Sequence, residues 1–211
     1  MTLRRSLPYS EGMVVARRRV AELWDQVVGP GASRFENAGT LGSGLLGGAL
    51  APLLDAQRSG PGRDRPAELA LPLLAIDLWG GAWCNNTPTA ARWYHREGRG
   101  RIQHLVFTAA HLHPFVVAWL DRRSPLHRSR LTWAISHYSY LQVATVLIAS
   151  QRRRTQRVTA VAATLGGILL DRLLGPSDRA PWFAPVYYVK LLTGHVGGAA
   201  ALRVDPLLDR E

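Results

Sequence analysis

At 211 residues, 47% of them hydrophobic, the chain has room for one domain or one compact helical bundle. Its single cysteine, Cys84, excludes an internal disulfide and any CxxC redox or zinc site. The formal net charge is +11, and every cation except Lys190 is arginine. These arginines stand in short clusters between apolar runs, a pattern of loops between membrane spans rather than the one basic face of a nucleic-acid binder.

The N-terminal 26 residues carry charge but no uninterrupted apolar core, so no cleavable signal peptide is expected. Over residues 13–28, Ala16, Val20, Leu23, Trp24 and Val27 recur at three- and four-residue steps, with Arg17, Arg18, Arg19, Glu22 and Asp25 between them. This predicts an amphipathic helix ended by Gly29-Pro30, lying on the inner membrane surface or against a partner helix. It belongs to an N-terminal region, 1–37. A transmembrane domain over 38–203 and a short tail over 204–211 follow.

Six apolar segments come next: 38–54, 67–83, 103–120, 131–149, 158–174 and 182–202. Each approaches the ~20 residues that a helix needs to cross a bilayer. The first is glycine-rich, and its Gly44-x-x-x-Gly48 would let two helix backbones approach closely. Gly194-x-x-x-Gly198 repeats the pattern in the last. Trp79, Trp83, Trp119, Trp133 and Trp182 fall near segment ends, as interfacial tryptophans do. The expectation is an all-α polytopic membrane bundle of five or six spans. The cell membrane is the expected location, multi-pass, with the N-terminus cytoplasmic. The composition suggests a bacterial chain of high genomic GC content.

The apolar segments carry ionisable residues, each costly inside a membrane. Asp77, His111, His113, His137 and Lys190 come from four different segments. At ~1.5 Å per residue they fall at similar depths, which makes them the candidate catalytic layer. Lys190 requires a partner at its own depth, and Asp77 is the carboxylate found there, with Tyr187 as a possible bridge. Tyr138 and His195 lie close to the layer. The loop 84–101 adds Arg92, Tyr94, His95 and Arg96, a group that could grip a phosphate headgroup. These six residues, with Tyr187, are the candidate substrate contacts.

Metal chemistry has no specific support. His111 and His113 would sit on different faces of an ideal helix unless Pro114 disrupts the turn. No His-x-x-x-His or carboxylate pair is present, so no metal ligand set is assigned and the cofactor is left open. Three readings follow. The first is a membrane-embedded enzyme acting on a lipid-like or isoprenoid-like substrate. The second is a small proton-coupled transporter or channel, and the third an accessory membrane subunit in which the polar groups merely pair with each other. Membrane lipids are the expected partners, nucleic acid is not, and the oligomeric state is open.

Overall fold

The computed structural model describes residues 9–56, 64–124 and 129–198. The end of the last apolar segment and the 204–211 tail lie outside them. The described residues are helical, without strands: α1 (Tyr9–Val28), α2 (Arg34–Ala56), α3 (Arg65–Cys84), α4 (Pro88–Tyr94), α5 (Arg101–Ala109), α6 (His113–Leu120), α7 (Arg130–Ala149), α8 (Arg153–Leu174) and α9 (Phe183–Tyr188). Helix α9 runs on without a break into a π-helix, Val189–Val196.

The expected five or six membrane spans are not there. Among the described residues only α3 is both long and apolar enough to cross a membrane, and a buried core helix passes the same test. The polytopic bundle and the multi-pass membrane location are therefore corrected. The segments are helices, and three of them show directly why they fall short of a span. Segment 103–120 divides into α5 and α6, of nine and eight residues. Helix α8 opens on Arg153, Arg154 and Arg157 and ends on Asp171-Arg172. Helix α9 and its π-helix hold 6 and 8 residues. Of the histidines read as intramembrane, His137 and His195 are buried, whereas His111 and His113 are partly buried.

Local chemistry sets the helix boundaries. Gly29, at φ 88°, ends α1 in the left-handed conformation that glycine adopts freely. Ser33 and Glu36 form a reciprocal capping box at the start of α2, at 2.7 and 3.1 Å. Both Glu36 carboxylate oxygens also accept from Thr89, at 3.0 Å each, which ties α2 to the start of α4. Among its described side chains, helix α1 packs at its C-terminal end. Val28 is buried with Cys84 and Ala90, and Trp24 Nε1 donates to Asn37 Oδ1 at 2.6 Å. Its Val14, Val15, Val20 and Leu23 are exposed.

Helices α2 and α3 form an antiparallel hairpin packed through glycines. A Cβ on Gly80 would stand 3.2 Å from the Thr40 carbonyl oxygen and 3.5 Å from Gly44 Cα, so backbone meets backbone. Gly47 receives the indole of Trp79, and Gly39 that of Trp83. Gly44-x-x-x-Gly48 lies in this interface, whereas Gly194 faces the backbone of Asn85. Backbone cannot swing aside as a side chain can. Gly80→Val is therefore expected to push the two helices apart and cost about 2–3 kcal/mol, read as a lowered urea midpoint. An unchanged midpoint would rule out this contact.

The core gathers around the last element. Phe183, Tyr187, Tyr188, Leu191 and Leu192 are fully buried and meet Leu71 and Leu78 of α3, Leu120 of α6, and Leu141 and Ile148 of α7. The outer faces of α2, α3 and α8 leave Leu45, Leu53, Leu73, Leu165 and Leu173 exposed. At one end of the bundle a charged clasp joins four parts of the chain. Arg179 holds Asp55 through two bonds of 2.8 and 2.7 Å and lies 3.8 Å from Asp64. Arg122 reaches Asp64 at 2.5 Å, and Asp121 accepts the Arg179 amide at 3.1 Å.

Candidate functional site

The central α9–π element carries three polar stations that face different neighbours. A π-helix lets the chain turn more widely than an α-helix, and such turns often occur at functional sites. Lys190 and His195 both belong to it.

At the first station Lys190 Nζ donates to Asp77 Oδ2 at 2.6 Å. The same oxygen lies 2.9 Å from His113 Nε2. Gly81, one turn beyond Asp77, makes room for the lysine, because any Cβ there would overlap Lys190 Cε. The side chain of Lys190 is 5% exposed and that of Asp77 52% exposed. The carboxylate is surrounded by protein but open on one side to a pocket. Burial would raise the Asp77 carboxyl, but the hydrogen bond from His113 and the charge of Lys190 outweigh it and hold it well below the usual carboxylate range. Burial lowers the Lys190 ammonium, and Asp77 opposes that shift.

Pro114 brings the two histidines of this station together. With no N–H, and with a ring that clashes one turn back, it ends α5 at Ala109 and restarts the chain as α6. Three side chains satisfy the carbonyls near this break. His111 Nδ1 donates to Phe107 O at 2.7 Å, Tyr138 to Ala109 O at 2.9 Å, and Tyr187 to His111 O at 3.0 Å. The interruption sets the rings of His111 and His113 5.2 Å apart, where an unbroken helix would have pointed them away from each other. Burial, then the charge of Lys190, pushes the His111 pKa down to about 4. The ring is therefore neutral at pH 7. Its Nδ1–H is committed to the carbonyl, which leaves Nε2 as an acceptor.

The pocket holds about 470 Å³ and lies between α2, α3, α5 and the π-helix. Leu41, Leu45, Ile76, Val27 and Phe107 form most of its wall, and its polar groups include Asp77, Lys190, His111 and Asn85. Asn85 is fixed by its bond to the Lys190 carbonyl oxygen at 3.0 Å.

The second station is separate. His137 Nδ1 lies 2.8 Å from the Tyr188 hydroxyl, and its Nε2 is 3.5 Å from Asp171 Oδ1. Both side chains are buried between α7 and α8, and neither lines the pocket. His137 is thus outside the Asp77–Lys190 group, and the single layer expected from depth divides in two. Tyr138, next in sequence, caps the α5–α6 break instead.

The third station is a histidine cluster. His95 Nε2 donates to His195 O at 2.8 Å, and His104 Nδ1 lies 3.1 Å from His195 Nε2. His195 stacks on Phe107 with ring centres 3.7 Å apart and meets Tyr94 edge-on at 4.6 Å. Burial, reinforced by the neighbouring histidines, holds His195 neutral. Among the described residues no cluster of histidine, cysteine and carboxylate side chains has the arrangement of a metal site. The expected phosphate grip in loop 84–101 does not assemble as read. Arg92 bonds Thr89 at 2.9 Å, Arg96 stacks on Trp93 at 3.4 Å, and Tyr94 donates to Val27 O at 2.9 Å. Sequence reading passed over His104, Asn85 and Gly81. Asn85 and Gly81 carried no signal apart from their contacts with Lys190.

No family model matches the chain, and no curated protein or solved structure shows a significant match to it.

Proposed function

We propose that the pocket between α2, α3 and the π-helix takes up a lipid-like molecule with a mostly apolar body and one neutral oxygen-bearing group, a hydroxyl or a carbonyl. The observation that carries this reading is the Lys190–Asp77 pair opening into an otherwise apolar pocket. Its volume of about 470 Å³ is that of a small-molecule site. Lys190 Nζ spends one of its three hydrogens on Asp77, leaving two for a ligand. Both protein contacts of the carboxylate fall on Oδ2, so Oδ1 remains for a ligand hydroxyl. The lysine charge is already neutralised, which favours a neutral polar group over a second anion.

The chemistry on offer is stabilisation of negative charge developing on the ligand's oxygen. A preorganised ammonium in a largely apolar pocket does this well. Asp77, held ionised, is a poor base and serves to keep Lys190 charged and aimed.

Displacement of an environment-sensitive amphiphilic dye by long-chain alcohols and ketones tests the reading. Micromolar displacement is expected. It should weaken about tenfold in Asp77→Asn and again in Ile76→Arg, which fills the apolar wall. Binding that persists in both variants, or none in the wild type, would refute the site. Turnover of any displacing ketone that vanishes in Lys190→Met would identify an enzyme.

A further inference from the structure

A second pocket, of about 160 Å³, lies on the other side of His195, between the α4–α5 turn and the start of α8. Its lining includes Arg99, Arg101, Arg153, His95, His104 and Gln156, and no carboxylate. None of the three arginines has an ion-pair partner among the described residues. Three unneutralised guanidinium groups around one small cavity repel each other unless an anion sits among them.

Two further features point the same way. The N-cap residue of α8, Arg152, offers no side-chain acceptor to the first turn, so that helix presents uncapped N–H groups beside Arg153. Gln156 lines the cavity with its Oε1 buried and without a donor. An oxyanion that still carries a hydroxyl would supply one. A fully ionised anion such as sulfate would not.

We infer that this pocket binds the terminal group of a phosphate monoester, or inorganic phosphate, through Arg99, Arg101 and Arg153, with the α8 N-terminus beneath it and Gln156 accepting the P–OH. The cavity has room for one phosphate group and not for a nucleotide. His95 and His104, held neutral by burial, serve as hydrogen-bonding walls rather than added charge. The inference does not depend on the apolar pocket, and the two can fail independently.

Isothermal titration of the intact protein with inorganic phosphate, at fixed ionic strength, is the test. One site is expected, weakened about tenfold in Arg153→Gln and in Arg101→Gln. These side chains are exposed, so both variants should keep the wild-type urea midpoint and the dye binding of the apolar pocket. Sulfate and dimethyl phosphate should bind at least about tenfold more weakly, since neither carries a hydroxyl for Gln156 to accept. Competition by phosphatidate vesicles but not phosphatidylglycerol vesicles would place the monoester on a lipid. Competition by neither would make it a free metabolite. Absence of phosphate binding, binding unaltered in the arginine variants, or equal binding of dimethyl phosphate would overturn the inference.

Discussion

Arg179→Leu is expected to cost about 3–5 kcal/mol, the largest loss for any single substitution at a polar position of this protein. Its guanidinium serves two carboxylates that are almost wholly buried: Asp55, through two bonds of 2.8 and 2.7 Å, and Asp64, at 3.8 Å. Removing it takes from both their shared counter-ion, in a place where water cannot replace it. Arg179 also closes the bundle, because Asp55 ends α2, Asp64 precedes α3 and Asp121 follows α6. Arg122 remains on Asp64 at 2.5 Å, so the loss should fall mainly on Asp55. The check is urea unfolding of Arg179→Leu alone and combined with Asp55→Leu. The double variant should recover most of the loss, since an apolar pair of similar volume needs no counter-ion. A single variant within about 1 kcal/mol of wild type, the range of an exposed ion pair, would show that the clasp is solvated and weak.

How much of this could be read in the sequence depends on which physical requirement each residue answers to. The Lys190–Asp77 contact rests on one requirement, that a buried ammonium have a counter-charge, and that requirement holds in a protein core as it does in a bilayer. Asp77 was legible as the partner for this reason, although the membrane frame used to find it was wrong. The spans were misread because an apolar run of 17 to 21 residues reads the same in a core helix as in a bilayer. The deciding details were Pro114, the arginines at the head of α8 and the π-helix. The clasp was illegible because Asp55, at the end of α2, and Arg179, in a connecting stretch, stand 124 residues apart, and nothing local marks them as a pair. The arginine-lined pocket beside His95 was not legible as a unit. His95 drew attention to its loop, but Arg92 and Arg96 are spent on local contacts. Arg153, which completes the pocket, comes from a helix beyond two others.

Acid is expected to destabilise the protein well above the carboxylate range, with the loss set by its histidines. His104 has its pKa pushed down to about 4 by burial, then by His95 and Arg99. His111 is likewise near 4, through burial and the charge of Lys190. His195 lies well below 6.5 through burial and its two histidine neighbours. All three are neutral in the folded protein and ordinary imidazoles in the unfolded chain. Between pH 6.5 and 4 the unfolded state therefore holds more protons, so stability present above 6.5 is lost as the pH falls through this window. Each such histidine contributes at most about 1.4 kcal/mol per pH unit. Allowing for partial exposure and for mutual repulsion within the cluster, a total loss of about 3 kcal/mol is expected from pH 6.5 to 4.5. That is a large part of the 5–15 kcal/mol typical of a domain. Asp77 does not take part, because its carboxyl stays ionised far below this window and the Lys190 pair survives it. Urea midpoints at pH 8, 6.5, 5.5 and 4.5 and constant ionic strength measure the slope. His104→Gln should flatten it by about one proton's worth. A midpoint that stays level from pH 6.5 to 4.5 would mean that these histidines are solvated, and that the cluster around His195 is not the closed wall between the two pockets.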